Sequence, residues 1–221
     1  MGLPEATAEA LWRPVTVLRV KYYYPELTSS LFRGLTEINL GSDDRTSAIS
    51  ELGLILVLTL NHKLRVFQLG IEIVDYDLSS APVAPIRLES LERLHPHHRE
   101  VQVGLLLRLI APGPKPLTLS ITNPWSSSST EEGPPEFTSK TEVEKFFARS
   151  NVTTLVATAF SQYSRLMEVL SMAPMIRVLA LVCFNCSQME DEGEMPPATT
   201  VEELYVTCST KFGTFAWPCI V

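Results

Sequence analysis

The chain has 221 residues, 45% hydrophobic and 19% charged, with a formal net charge of −7 and a pI near 5.2. That composition is globular, and it excludes a wholly disordered chain. The acidic balance excludes a protein whose whole surface grips nucleic acid or anionic lipid, because phosphate contact needs Lys and Arg.

Val15–Tyr24 is expected as the first strand, with Leu18, Val20, Tyr22 and Tyr24 inward and Arg19 and Lys21 outward, stopped by Pro25. Leu27–Leu40 reads as a helical turn followed by a short strand. Leu52–Leu78, the most apolar stretch, is read as a β-hairpin: an apolar arm Leu52–Leu60, a turn at Asn61–His62, and an arm in which Arg65, Phe67, Leu69, Ile71 and Ile73 share one face. The competing reading of the first arm is a buried helix over 47–60, capped by Ser47.

Ser79–Arg99 is a proline-containing connector with a short helix around Leu88–Leu94. Val101–Ile110 and Leu117–Thr122 alternate and predict a second hairpin. Asn123–Phe137, with its serine run, acids and prolines, is an exposed low-complexity loop. Ser139 and Glu142 form a capping-box pattern that opens a helix through Arg149. Phe160, Tyr163, Leu166, Met167 and Leu170 place a second helix over roughly 153–172. Met175–Cys186 returns to strand, Ser187–Thr200 is an acidic loop, and Glu203–Phe212 is a last strand before the apolar tail GTFAWPCIV.

No internal repeat is legible. The elements add up to an α+β, β-rich fold: a mainly antiparallel sheet or sandwich with a helical pair at about 140–172. A single domain over 1–221 is expected, with loops at 123–137 and 187–200 and sub-lobes at 12–122 and 138–221. Without regular strand–helix alternation or a glycine fingerprint, a dinucleotide-binding fold is not expected.

Four cysteines are too few for a disulfide scaffold. The N-terminus MGLPEATAEALWR carries acids and no long apolar run, and no stretch reaches the roughly 18 residues of a membrane span. The expectation is a soluble, cytoplasmic, intracellular protein without a signal peptide.

Cys183 and Cys186 form a C-x-x-C pair that suits zinc or redox chemistry, with Cys208 and Cys219 as further ligands. The spacing of the second pair is loose, so buried cysteines on a strand are the plainer reading. His95, His97 and His98 are metal-capable, set against a solvated loop that also carries Arg93 and Arg99. Glu72, Asp75 and Asp77 lie at the exit of the hairpin, and Asp75 and Asp77, two apart in a strand, would share a face about 7 Å apart, as a cation or acid–base pair would. A strand end turning into solvent accounts for them as well. Arg19, Lys21 and Tyr23 on one strand suit single-stranded nucleic acid, with Arg93 and Arg99 as further phosphate contacts. Gly133–Phe137, GPPEF, has the outline of a proline-rich recruitment peptide.

No nucleophile elbow, P-loop, zinc-protease or kinase motif occurs, which leans the chain away from catalysis. In general organisation it is loosely similar to small viral structural proteins (matrix, coat and movement proteins), and that likeness carries no residue role. The leading expectation is a non-enzymatic structural or interaction protein with protein partners, a homo-oligomer that self-associates through strand edges or Phe215, Trp217 and Ile220 of the tail, with no cofactor. A zinc or thiol enzyme and a nucleic-acid binder, the latter disfavoured by the net charge, are the alternatives.

Overall fold

A computed structural model describes residues 14–21, 32–41, 47–77, 84–96, 100–122, 139–158, 160, 163–184, 201–210 and 213–219. Its main sheet has nine strands: β1 (Val17–Lys21), β2 (Glu37–Gly41), β4 (Val66–Gly70), β7 (Arg93–His95), β9 (Leu117–Thr122), β10 (Val152–Thr158), β11 (Val178–Phe184), β12 (Glu203–Thr210) and β13 (Gly213–Cys219). Each strand lies beside the next in that order. The first eight run parallel, and only β13 turns back antiparallel on β12. Two minor parallel ladders follow the same progression, β3 (Ala48–Ser50) with β5 (Glu72–Val74) and β6 (Ile86–Leu88) with β8 (Ile110–Pro112). Among the described residues four helices connect these levels: α1 (Glu51–Leu60), α2 (Glu100–Leu109), α3 (Ser139–Arg149) and α4 (Tyr163–Met172).

The mainly antiparallel sheet or sandwich is therefore overturned. Period-2 burial reports that one face of a strand is covered, but carries no information about the direction of its neighbour. A parallel neighbour needs a crossover of about a dozen residues or more, and the strand starts at 17, 37, 66, 93, 117, 152, 178 and 203 leave that room. Nor does this parallel sheet have the reversal of strand order at which doubly wound folds bind ligands: its order follows the sequence throughout.

The chain is repetitive after all. An apolar residue, then another three and five positions later, enters level after level: Leu35, Ile38, Leu40; Leu64, Phe67, Leu69; Leu91, Leu94, Pro96; Val152, Leu155, Ala157; Ile176, Leu179, Leu181. The strand register stacks Leu18, Ile38, Phe67, Leu94, Leu119, Leu155, Leu179 and Leu204 in one ladder. All but Leu204 are buried, and burial of each such side chain contributes about 1.5–3 kcal/mol. The backbone repeats too. The carbonyls of Thr16, Thr36, Arg65 and Arg177 each accept the two amides that open the next strand, at 2.7–3.2 Å.

Both expected hairpins dissolve into helix and parallel strand. Glu51–Leu60 is helical because Ser50 caps it, its Oγ accepting the Gly53 N–H at 3.1 Å; the cap is Ser50, not Ser47. Leu54, Val57 and Leu58 are buried while Leu52 is 77% exposed, so apolar residues all round disguised a one-sided helix. Leu105, Leu106 and Leu107 are consecutive and all buried in α2, a helix and not the expected strand. The expected helix over 153–172 is strand β10 followed by the shorter α4, whereas α3 lies where the capping box puts it. The short helix expected around Leu88–Leu94 is instead the turn between β6 and β7.

Three buried polar groups hold successive levels together. Asn61 Oδ1 accepts the Leu35 N–H at 2.7 Å, and its Nδ2 donates to Phe32 O and Val57 O. The Gln102 side chain pairs with Ile73 as a strand would, accepting its N–H at 2.6 Å and donating to its carbonyl at 3.2 Å. Glu51 at the start of α1 forms an ion pair with Arg108 at the end of α2. Arg149 of α3 donates to Leu107 O at 2.6 Å and Ile110 O at 3.1 Å, satisfying carbonyls at the α2 terminus, and lies over the Phe146 ring. Burial pulls the Arg149 pKa down, opposed by the Glu142 charge.

Candidate binding face

Because inward residues alternate with outward ones, the ladder fixes a second surface. In register it carries Val17, Arg19 and Lys21; Glu37, Asn39 and Gly41; Val66, Gln68 and Gly70; Arg93 and His95; Thr118, Ser120 and Thr122; Thr154, Val156 and Thr158; Val178, Ala180 and Val182; and Glu203, Tyr205 and Thr207. None of these is buried, and the helix side chains share the core with the opposite face. Parallel sheets are ordinarily covered on both faces. Among the described residues no helix covers this face; a parallel sheet open on one side is found in solenoids, whose coils each contact only their neighbours.

The face divides by chemistry. Its first four strands are charged or amide-bearing. Arg19 pairs with Glu37 at 2.7 Å, and Asn39 donates to Gln68 at 2.9 Å across β2 and β4. The Lys21 stem lies beside Gly41, its Cγ 3.7 Å from where a Cβ there would stand. His95 is exposed, yet partial desolvation of its ring holds its pKa below the ordinary value. The next three strands offer only Thr, Ser, Val and Ala, and then Tyr205 stands half exposed with its hydroxyl donating to Glu203 at 2.7 Å. That bond and the Glu203 charge raise the Tyr205 pKa.

Along the edge where the strands begin, Glu92 bridges Arg65 at 2.8 Å and Lys115 at 3.1 Å. The hydrogen bond from Arg65, then that from Lys115, hold its carboxyl at about 2. Nearby, a shallow groove of about 660 Å³ is lined by Arg87, Glu89, Gly113, Arg149, Asn151 and Met175, among others. A Cβ on Gly113 would meet the Glu89 carbonyl at 2.5 Å, so this level closes only around glycine. The groove offers little to a ligand: Arg149 is committed to backbone carbonyls, and Asn151 donates to Pro114 O at 3.0 Å.

Among the residues singled out from sequence, Arg19, Lys21, Arg93 and His95 share the open face, with Arg19 and Arg93 three strand positions apart. Tyr23, His97, His98, Arg99, Cys186 and Ile220 lie outside the described residues, as does Gly133–Phe137. Cys183 is exposed at the end of β11 with a left-handed backbone (φ 55°), and Cys208 stands on β12 in register with Phe184. Phe215, Trp217 and Cys219 fall on β13, the strand that closes the sheet, paired with Cys208, Val206 and Leu204. Asp75 and Asp77 do not share a strand face: β5 ends at Val74, and Asp75 is left-handed (φ 53°). Among the described residues no three His, Cys, Asp or Glu side chains gather as a metal would require, and no helix is long and apolar enough to cross a membrane. Asn39, Gln68, Thr154 and Ala180 escaped the sequence reading. Aligning the strands on their repeating apolar triplets would have found them.

No protein-family model, curated protein sequence or solved structure matches this chain.

Proposed function

We propose that this protein is a non-catalytic interaction scaffold whose open sheet face docks another protein. The observation that carries the reading is the one-sided parallel sheet: eight strands in sequence order, inner positions stacked in the core, outer positions partly exposed. Strand intervals of 20 to 35 residues and the recurring apolar triplet resemble those of leucine-rich solenoids, which line a horseshoe with strands. Fold alone does not give function. The residues of the face do support docking: short side chains on β9 to β11 make a level floor, and polar groups at its ends fix orientation.

A photo-crosslinking amino acid placed at Ala180, on the open face, is the direct test, with Thr59 on the helical side as the reference position. In extracts of the source cells, a discrete protein adduct is expected from position 180 alone, and Thr154→Arg should abolish it. Equal labelling from both positions, or no discrete adduct from 180, would overturn the reading. The viral likeness gains no support from any relative, and it forms no part of this proposal.

A further inference from the structure

We infer that the partner presents an acidic segment, and that this segment lies across the first four strands of the sheet, over Lys21 and Arg93. The inference rests on the docking reading above and adds the chemistry of what docks.

The argument is one of charge placement. The chain as a whole carries −7, so a surface drawn at random would be acidic. The open face of β1, β2, β4 and β7 is the reverse: it holds Arg19, Lys21 and Arg93, with Glu37 as its one carboxylate. Arg19 is already neutralised by Glu37 at 2.7 Å. Among the described residues neither Lys21 nor Arg93 has an ion-pair partner, whereas Arg65, Lys115, Lys140 and Lys145 are each paired with Glu; what distinguishes the two is that they share one sheet face with a single carboxylate. Asn39 and Gln68 lie between the two cations, and the spare lone pairs and amide protons of that bonded pair suit a polypeptide backbone. Three strand steps of about 4.8 Å separate β1 from β7, and Lys21 and Arg93 are offset by four register positions of about 3.3 Å along the strands, so the diagonal between them is about 20 Å, which an extended segment of about six residues covers. Complementary charge of this kind steers encounter and fixes register more than it adds affinity.

A nucleic acid is the other polyanion such cations attract. Two cations without an ion-pair partner among the described residues release few counterions, and these four strands place no Phe, Tyr or Trp on the face for a base to stack on, His95 being their one ring. A protein carboxylate is therefore the occupant the residues favour.

The test uses the full chain and fluorescence anisotropy with labelled probes. Three peptide pools of equal length and apolar content carry Glu, Ser or Lys at their polar positions, and a single-stranded oligothymidine is the fourth probe. The Glu pool is expected to bind tightest and to weaken as salt rises. Lys21→Glu with Arg93→Glu should reduce its affinity about tenfold or more, and Asn39→Trp, a bulky side chain between the two cations, should reduce it as well. Lys21→Ala with Arg93→Ala, milder for folding, should give a smaller loss in the same direction. If the Ser or Lys pool binds best, or if binding responds to Thr154→Arg and not to Asn39→Trp, the face is a docking site but the acidic segment across the first four strands is wrong. If no probe responds to either substitution, or none binds, both readings fall. Tighter binding of oligothymidine than of the Glu pool also overturns the inference.

Discussion

Asn61 and Leu35, 26 residues apart in sequence, meet through a 2.7 Å hydrogen bond from the Leu35 amide to the Asn61 side-chain oxygen. Asn61 is fully buried at the end of α1, so one side chain fastens that helix to the entry of β2. Asn61→Ala removes three hydrogen bonds and leaves the Leu35 amide and two carbonyls without their partner. A loss of about 3 kcal/mol is expected, since each stranded buried group costs about 1–3 kcal/mol. Urea unfolding measures it, and Asn61→Asp should be nearly as harmful because it abolishes both Nδ2 donations.

The Glu51–Arg108 pair ties α1 to α2, with side-chain exposures of 8% and 14%. Arg108→Met leaves a buried carboxylate behind and should cost about 3–5 kcal/mol, whereas adding Glu51→Leu should restore most of that loss. A double-mutant cycle on unfolding midpoints decides it: additive losses would show the pair to be uncoupled.

Gly113 has no room for a methyl group beside the Glu89 backbone. Gly113→Ala should destabilise by about 2 kcal/mol through forced separation of the two segments. Calorimetry should record a lowered Tm, and Met175→Ala, an exposed position on the same groove, serves as the tolerant comparison.

Glu92, held at about 2 by Arg65 and Lys115, sets an acid limit. Its folded value lies below its ordinary one, so the stability it contributes is present above about pH 4.5 and is lost as pH falls from there toward 2. In Glu92→Gln that part of the acid transition should flatten, as followed by circular dichroism. An unchanged acid profile would remove Glu92 from the account.

His95 acts in a higher range. Desolvation lowers its pKa, so the unfolded chain takes up the proton first as pH falls. Full stability is expected above about pH 6.5, the ordinary imidazole value, with a decline between there and the lower folded value. Below that the penalty is constant. His95→Gln should remove this step from a plot of urea midpoint against pH between 5 and 8.

Individual strands were legible in the sequence because inward and outward residues alternate with period 2; Leu18 with Arg19 and Phe67 with Gln68 are examples. Direction and partnership were not legible. Leu52–Leu60 and Val101–Ile110 are apolar on nearly every side, and in such segments helix and strand periodicities fit equally well. Reading both as strands supplied neighbouring hairpin arms and with them an antiparallel sheet. It also hid the repeat, because the apolar triplets of Leu35, Leu64 and Leu91 became pieces of unrelated elements. The cations of the face were visible as residues, but their shared surface depends on a register between strands that no local pattern encodes.

The crossovers between strands differ widely in length, from Lys21 to Glu37 at one extreme and from Thr122 to Val152 at the other, yet the ladder stays continuous apart from one register shift at each of two strand pairs. Chain length is thus uncoupled from position on the face. Residues can be gained or lost on the outer side of a coil without shifting the address of any side chain on the inner side. Change in the two layers can proceed independently: the outer by insertion and deletion, the inner by single substitution at a fixed grid of sites. On the docking reading proposed above, partner choice would be rewritten one square at a time while the frame around it grows or shrinks.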